Sequence, residues 1–277
     1  MSRCDSHVHI IGPTERYPQL ANRSGVMGVA DVAALKAHGA PHGISRFVVV
    51  QPSFYGTDNS MLLDALAPLG MNGRGVAVVG ANGAPEHVLA GWAERGVCGL
   101  RINVYSPIGA PRSLPATFTI MADIARPLGW HVEVIAALPQ IAEHADLFAA
   151  ADVPVVIDHY GVYGDARPDS RNGRRLLELM TASNVWMKLS APYRVSSNPL
   201  DTKPNRAWLT ALIEAAPERC VWGSDWPHTP AHESTEPAYR PIDYAALVKD
   251  FLGALDGELR DAVMQHNPAR LYGFPGA

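Results

Sequence analysis

Short runs of apolar residues, many of them β-branched, recur along the chain, and more polar segments separate them. Such runs are typical of strands that are buried on both faces of a parallel sheet. Each run is seven to nine residues long, which is within the usual range for a strand. We therefore predict eight strands: 4–10, 44–51, 74–80, 96–104, 130–136, 154–160, 184–190 and 219–225.

The segments between several of these strands carry apolar residues at helical spacing, and several end in Gly, where a helix commonly stops. Strands that alternate with helices form a parallel sheet, because each crossover helix covers one face. Eight such repeats in 277 residues predict a closed (β/α)8 TIM barrel of the α/β class. No GxGxxG follows the first strand, which argues against a dinucleotide-binding fold. The predicted helices are 29–39, 59–70, 85–96, 115–129 and 139–151.

The composition is that of an ordinary globular protein, with 47% hydrophobic and 18% charged residues. No low-complexity linker divides the chain, so we predict one domain over residues 1–277. The charges are scattered and sum to −4, which leaves no basic stripe for nucleic acid. Neither a membrane-spanning apolar run nor a signal segment is visible, so a cytoplasmic protein is expected. Three cysteines without a CxxC pair, Cys4, Cys98 and Cys220, are expected to be buried and reduced.

The barrel prediction places any chemistry at the carboxyl ends of the strands, where the loops converge. His7 and His9 lie two positions apart in the first strand, so their side chains share one face. Two imidazoles at that spacing can bind a metal ion or a substrate carbonyl, and they can equally be structural. Other predicted strand ends also carry polar side chains: Gln51, Ser53, Arg101, Asn103, Glu133, Asp158, His159, Lys188 and Asp225.

Asp225 follows the eighth strand in the run VWGSDWPHT, and Pro227 stiffens the loop behind it. An aspartate here can cap the next helix, but a fixed carboxylate that faces histidines can also take a proton from water. His159 ends the sixth strand and, taken alone, is more often structural. Matching groups on several strands shift the interpretation of these residues toward one shared site.

Arg101 lies within a strand, where an unpaired guanidinium is strongly penalised. It either pairs with Glu133 or another carboxylate or binds an anionic substrate, and we favour the substrate because arginine grips carboxylates with two hydrogen bonds. Tyr193 and Arg194 offer a second such site or a surface loop. Lys188 could be a base, a Schiff-base former or a lysine that points toward the helices, so it and Glu133 remain unassigned.

Eight motifs run in order through most of the chain: DSHVHI, QPSFYGTDN, GLRINV, GWHVEV, IDHYG, LSAPYR, WGSDWPH and NPARLYGF. This ordered set resembles the amidohydrolase superfamily, and in particular its lactonase branch, which includes 2-pyrone-4,6-dicarboxylate lactonase. The HxH pair alone is a weak signal, whereas the complete set in order is a specific one.

The resemblance implies a (β/α)8 barrel that hydrolyses lactones, which is a carboxylic ester hydrolase reaction, in the breakdown of aromatic compounds. It implies that Asp225 is the general base that deprotonates the attacking water. It also implies that His7, His9 and His159 polarise the lactone carbonyl or stabilise the developing oxyanion. The substrate-binding residues implied are Ser53, Arg101, Tyr193 and Arg194.

Other superfamily members bind one or two divalent ions through the HxH pair and groups on the fifth, sixth and eighth strands. Here the fifth strand offers Glu133 where mononuclear members commonly place a histidine. The lactonase branch works without a bound metal, so metal-independent hydrolysis with no required cofactor is expected. A divalent ion such as zinc could still bind weakly, and its ligands would then be His7, His9, His159 and Asp225.

One departure from the branch bears on the substrate. Dicarboxylate enzymes of the branch carry an arginine soon after the sixth-strand histidine, whereas this chain has Val162 there. One anion contact is therefore missing or taken over by Arg167. The expected substrate is a small anionic lactone: a 2-pyrone-4,6-dicarboxylate, a muconolactone, sulfonated ones included, or a sugar-acid lactone. The alternatives are a metal-dependent decarboxylase or amide hydrolase of the same superfamily and a non-catalytic barrel that binds a small anion.

Overall fold

The computed structural model describes residues 2–21, 26–106, 113–230 and 238–275. At its centre is one parallel sheet in which each strand pairs with the next along the chain. This order confirms the predicted (β/α)8 barrel. The eight strands are β1 (Arg3–Val8), β2 (Ile44–Val50), β3 (Gly73–Ala77), β4 (Val97–Asn103), β5 (His131–Ile135), β6 (Val155–Ile157), β7 (Val185–Ser190) and β8 (Cys220–Gly223).

The barrel closes between β1 and β8 through backbone hydrogen bonds at the ends of these strands. The amide N–H of Asp225 donates to the carbonyl of His7 at 2.8 Å. The amide N–H of His9 donates to the carbonyl of Trp226 at 2.7 Å. Gly223 permits this approach, because a Cβ there would lie only 2.6 Å from Cβ of His7. The closure therefore fixes both histidines beside the loop that carries Asp225.

α-Helices separate the strands, and the described residues form eleven of them. Polar side chains accept backbone N–H groups at several helix starts, as Asp31 and Asn205 do. The segment predicted as one helix over 139–151 is two helices with a break at His144. The other four predicted helices are present, with ends shifted by up to four residues. The helices are α1 (Val32–Gly39), α2 (Ser60–Leu66), α3 (Glu86–Glu94), α4 (Leu114–Ala125), α5 (Leu138–Glu143), α6 (Ala145–Ala149), α7 (Arg171–Met180), α8 (Arg206–Ala215), α9 (Tyr244–Gly253), α10 (Gly257–Asp261) and α11 (Asn267–Tyr272).

Apolar side chains fill the space outside the barrel and its lower interior. Those that point outward from the strands, such as Val8 and Leu189, pack against the helices in the main core. Inside the barrel, Val48 packs against the C-terminal residues Tyr272 and Phe274. Arg46 and Arg74, near the starts of β2 and β3, donate to carbonyls of this C-terminal segment, which therefore lies at the amino ends of the strands. The carboxyl end is left to polar side chains.

The sixth strand is shorter than its sequence pattern predicts. It ends at Ile157 instead of Tyr160, because His159 and Tyr160 adopt positive φ angles of 49° and 54°. Non-glycine residues seldom adopt such angles, and they end the extended backbone here. Asp158 and His159 therefore lie in a turn at the barrel mouth and not within the strand.

The cysteines are free thiols, and Cys4 and Cys220 are buried as predicted. Cys98 is only partly buried, which differs from the prediction. Burial raises the pKa of the Cys98 and Cys220 thiols to about 12, so both stay protonated at neutral pH. In the part of the chain that the structure describes, no helix has the length and apolar character to cross a bilayer.

Candidate active site

The two histidines of the first strand lie side by side at the barrel mouth. Their ring centroids are 5.1 Å apart, while Val8 and Ile10 pack outward in the main core, as the alternation of a strand predicts. Nδ1 of His9 donates to the carbonyl of Val50 at 2.7 Å. This bond leaves Nε2 of His9 facing the interior of the site, 3.3 Å from a carboxylate oxygen of Asp225.

Asp225 lies among side chains from the loops after β7 and β8. We call the four residues the Asp225 cluster: Tyr193, Arg194, Asp225 and His228. Oδ2 of Asp225 accepts from the Tyr193 hydroxyl at 2.8 Å and from Nε of Arg194 at 2.5 Å. Oδ1 has no hydrogen-bond partner among the described residues and lies 3.6 Å from Nε2 of His7. One carboxylate oxygen is thus fixed and the other faces the histidines.

Asp225 is ionised at neutral pH despite its burial. Burial by itself raises the pKa of this carboxyl, but the Arg194 guanidinium, with His9 and His159 adding to it, holds the pKa well below its usual range. Arg194 remains a cation, since Asp225 and Tyr193 raise its pKa against the effect of burial. The site therefore contains a buried carboxylate that can accept a proton from a bound water.

A second buried group lies below His7, and we call it the Lys188 cluster: Arg101, Glu133, Asp158 and Lys188. Nζ of Lys188 donates to Glu133 and lies 3.6 Å from Oδ1 of Asp158 and 3.2 Å from Nδ1 of His7. Glu133 and Lys188 have no exposed surface. Lys188 therefore points into the barrel and not toward the helices, which removes one of the interpretations that the sequence left open.

His159 completes the set of histidines that the sequence predicts for the site. Its ring centroid is 4.7 Å from that of His7, and its Nδ1 lies 2.8 Å from the Ser190 hydroxyl. Burial lowers the pKa of His159 to about 4, although Asp225 and Asp158 act in the opposite direction, so the ring is neutral at pH 7. Its donor atom also shares a closely spaced group with His7 and Asp158.

Arg101 has contacts that bear on both of its predicted roles. Its Nη1 donates to the carbonyl of Gln51 at 2.9 Å. Nε lies 3.9 Å from Glu133, and Nη2 lies 3.9 Å from Asp158, which is too long for hydrogen bonds. Arg101 thus offsets the two carboxylates through space, and its Nε has no hydrogen-bond partner among the described residues.

A cavity of about 500 Å³ opens between the ends of β2, β3 and β4 and helix α4. Ser53 and Arg101 both line it, and Ser53 Oγ accepts from the side-chain amide of Asn103 at 2.7 Å. Its size is that of a site for a small molecule. Two of the predicted substrate-binding residues therefore face one cavity, whereas Tyr193 and Arg194 lie on Asp225.

Arg167 does not reach this site. Its side chain is 79% exposed, pairs with Asp169 at 2.9 Å and lines a separate cavity of about 680 Å³. Val162 is buried in the turn after His159. Neither residue places a cation beside Asp225, so Arg167 does not replace the missing arginine in this arrangement.

Sequence reasoning missed two features of the site. His228 lies 3.1 Å from the Tyr193 hydroxyl through its Nδ1 and so belongs to the Asp225 cluster. Its position three residues after Asp225, in a rigid Pro-containing loop, was an available signal. Lys188 stands out in the sequence as a charge within an apolar strand, but its contact with His7 could not be inferred from the pattern.

The spacing of the donor atoms suits a metal ion, since those of His7, His9 and Asp225 lie within 4.8 Å of one another. The charges do not suit one. Three basic side chains already face the three carboxylates of the Asp225 and Lys188 clusters. A divalent cation would add two uncompensated charges beside the guanidinium of Arg194, in a buried environment where such charges are costly. The residues present therefore do not fit a tightly held metal ion.

Comparison with known proteins gives a consistent set of relatives. The chain matches the family model described as Amidohydrolase over residues 4–274. A 4-sulfomuconolactone hydrolase of Hydrogenophaga intermedia is 30% identical over 273 residues, which cover 97% of this chain and 88% of that protein. A 2-pyrone-4,6-dicarboxylate hydrolase of Comamonas testosteroni is 31% identical, with 97% and 89% covered. A solved structure, a candidate 2-pyrone-4,6-dicarboxylic acid hydrolase of Pseudomonas putida, is 29% identical with a TM-score of 0.85, covering 100% of this chain and 99% of that one.

Proposed function

The chain belongs to the amidohydrolase family, and from this premise we propose that it is a hydrolase that opens the ring of a small anionic lactone. Relatives that cover nearly its whole length are named for the hydrolysis of a sulfomuconolactone and of a pyrone dicarboxylate. Lactones are cyclic esters, so this is a carboxylic ester hydrolase reaction. The observation that carries the proposal is the Oδ1 atom of Asp225, which faces His7 and His9 without a hydrogen-bond partner among the described residues.

Asp225 acts as the general base in the proposed reaction. A water molecule beside Oδ1 transfers a proton to the carboxylate as its oxygen attacks the lactone carbonyl carbon. The carbonyl oxygen becomes an oxyanion, and imidazole N–H groups of the three histidines stabilise it. When the tetrahedral intermediate collapses, the ring C–O bond breaks and the leaving oxygen takes the proton from Asp225. The product is the ring-opened hydroxy acid, and the carboxylate is regenerated.

Arg101 and Ser53 bind the anionic part of the substrate in this proposal. Both line the cavity of about 500 Å³, and Nε of Arg101 has no hydrogen-bond partner among the described residues. Tyr193 and Arg194 hold Asp225 and contact the substrate from the other side of the mouth. The substrate classes we propose are 2-pyrone-4,6-dicarboxylates, muconolactones with or without a sulfonate, and sugar-acid lactones, with a role in aromatic catabolism for the first two.

We further propose that hydrolysis requires no metal ion or other cofactor. The support is the balance of charge between the Asp225 and Lys188 clusters and the contact between Arg194 and Asp225 at 2.5 Å. A carboxylate that is already ionised and oriented can activate water without a Lewis acid. A weakly bound zinc ion would then be incidental to turnover.

A panel of lactones tests the proposal on protein that has been dialysed against a chelator. We expect ring opening of at least one anionic lactone, at a rate that neither chelation nor added zinc changes. Activity that disappears on chelation and returns with zinc or manganese would contradict the metal-free reaction. Tight binding of lactones without turnover would indicate a non-catalytic anion-binding barrel instead.

A metal-dependent decarboxylase or amide hydrolase is the second candidate, because the donor atoms of His7, His9 and Asp225 have suitable spacing. That function requires about one tightly bound divalent ion per chain. Elemental analysis of freshly purified protein distinguishes the two, and we expect far less than one equivalent of metal.

A further inference from the structure

Lys188 contacts the nitrogen of His7 that faces away from Asp225. Its Nζ is 3.2 Å from Nδ1 of His7, donates to Glu133 and lies 3.6 Å from Asp158. Lys188, Glu133 and Asp158 are fully buried. Between two carboxylates the side chain is an ammonium group, which has three N–H donors and no acceptor.

This contact determines where the proton of His7 lies. An ammonium group is attracted to a ring nitrogen only where that nitrogen offers a lone pair, so Nδ1 is the acceptor. A ring whose Nδ1 is an acceptor is not an imidazolium and carries one proton. The single proton is then on Nε2, which lies 3.6 Å from Oδ1 of Asp225 and has no hydrogen-bond partner among the described residues.

His9 has the opposite arrangement. Its Nδ1 lies 2.7 Å from the carbonyl of Val50, which can only accept, so Nδ1 bears a proton and donates it. The two histidines of the HxH pair thus have different partners at Nδ1, an ammonium group at His7 and a backbone carbonyl at His9, a distinction that sequence spacing does not contain.

We propose that Lys188 is a positioning residue that keeps the proton of His7 on Nε2, from which it donates to the carbonyl oxygen of the lactone. The catalytic part of this inference rests on the proposed function, whereas the position of the proton does not. In acyl-transfer enzymes, a donor aimed at a developing oxyanion contributes about 10²–10³ in kcat. Lys188 touches no reacting atom and acts through His7.

Removal of Lys188 should change the tautomer of His7, because carboxylate oxygens also lie beside Nδ1 of His7. Oδ1 of Asp158 is 3.4 Å from it, and Oε1 of Glu133 is 3.8 Å from it. Without the ammonium group, a carboxylate accepts a hydrogen bond from Nδ1–H, and Nε2 becomes a lone pair that faces Asp225. The Lys188→Met variant is therefore expected to reverse the tautomer of His7.

The test is nitrogen-15 NMR of the full chain with labelled histidine, since the shifts of the ring nitrogens distinguish the tautomers. His7 is assigned from the signals that are missing in His7→Asn. At pH 7 we expect Nε2–H in the wild type and Nδ1–H in Lys188→Met, with kcat for lactone hydrolysis about 10²-fold lower and KM little changed. Lys249→Met, which removes an exposed lysine, should change neither.

An Nδ1–H tautomer in the wild type, or an unchanged tautomer in Lys188→Met, would overturn the inference whatever the protein does to lactones. A reversed tautomer with unchanged kcat would overturn it too, because the donor would not serve the reaction. If Lys188→Met does not fold, Lys188→Met/Glu133→Gln removes the ion pair as a unit, and the same result is expected with Asp158 as the acceptor. The expected tautomers without any lactone turnover would overturn the proposed function instead.

Discussion

The Lys188 cluster and the Asp225 cluster lie on either side of His7 and are built in different ways. Most of the Lys188 cluster stands on strands, where the backbone fixes the direction of each side chain, and each carboxylate faces a cation. The Asp225 cluster stands on loops, and Asp225 and His228 have positive φ angles of 62° and 66°. Charge is balanced by strand residues in one cluster and by loop residues in the other.

This difference gives the two clusters different roles: the Lys188 cluster orients His7, and the Asp225 cluster takes part in the reaction. In the Lys188 cluster, ionic contacts surround Nδ1 of His7 and hold the ring. In the Asp225 cluster, Tyr193 and Arg194 grip one carboxylate oxygen and leave the other toward the histidines. A carboxylate held in this way is fixed in position and still able to accept a proton.

Removal of a carboxylate from the Lys188 cluster should mainly reduce stability. Glu133→Gln leaves the buried ammonium of Lys188 with Asp158 at 3.6 Å as its remaining close carboxylate. Breaking a buried ion pair in this way costs about 3–5 kcal/mol of unfolding free energy. Urea unfolding followed by circular dichroism measures it, with exposed Glu143→Gln as the control. Equal stabilities of the two variants would show that the cluster is not a buried ionic unit.

Removal of the cation from the Asp225 cluster should mainly reduce activity. Arg194→Met takes away the guanidinium that opposes burial, so the pKa of Asp225 rises toward neutrality. More of the carboxyl is then protonated at pH 6 than at pH 8, and kcat/KM should fall by about 10²-fold with the larger loss at the lower pH. Exposed Arg171→Met serves as the control. A loss that is the same at both values would contradict this role of Arg194.

Acid should destabilise the fold through histidines beside Asp225. Burial lowers the pKa of His159 and of His228 to about 4, so both stay neutral at pH 5 while unfolded histidines take up protons near 6.5. The unfolded state binds more protons over this range, so the free energy of unfolding falls as the pH falls from 7 to 5. Burial also raises the pKa of Asp5 to about 6, which acts in the opposite direction. Burial also lowers the pKa of His7, so three histidines contribute to the loss. We expect a net loss on the order of 4 kcal/mol.

Urea unfolding at pH 7 and pH 5 measures this loss. In His228→Asn the difference between the two pH values should be about half as large. His87→Asn removes an exposed histidine and should leave the difference unchanged. A stability that rises toward pH 5 would mean that these rings are charged in the fold.

The smallest effect is expected for Arg101, the member of the Lys188 cluster that we propose binds the substrate. Arg101→Met removes the guanidinium that lines the cavity with Ser53. KM for an anionic lactone should rise about tenfold with little change in kcat, because one ionic contact to the ground state is lost. Arg167→Met, at the exposed site, should not change KM. A fall in kcat at constant KM would instead place Arg101 in the chemical step.

The barrel could be predicted from sequence because its signals are local. Runs of apolar residues and their alternation with helical segments follow from burial on both faces of each strand. The end of β6 could not be predicted, since the positive φ angles of His159 and Tyr160 depend on tertiary contacts and neither residue is glycine.

Whether a residue of the site could be predicted depends on whether it lies at the end of a strand or inside one. His7, His9, His159 and Asp225 stand at strand ends and could be selected from position and motif, and the structure brings them together. Lys188 and Glu133 lie inside apolar strands. There, both faces are buried, so no alternation in the sequence shows which side chains point into the barrel.

The role of Asp225 is tested most directly by the kcat of Asp225→Asn in hydrolysis of the best lactone from the panel, after chelation. Asparagine keeps the size of the side chain and an oxygen that can accept from Arg194, but it does not take up a proton from water. We expect kcat to fall by about 10²–10⁴-fold, while Asp169→Asn, which removes an exposed carboxylate, keeps the wild-type value. A kcat close to that of the wild type in folded Asp225→Asn would contradict the assignment of Asp225 as the general base.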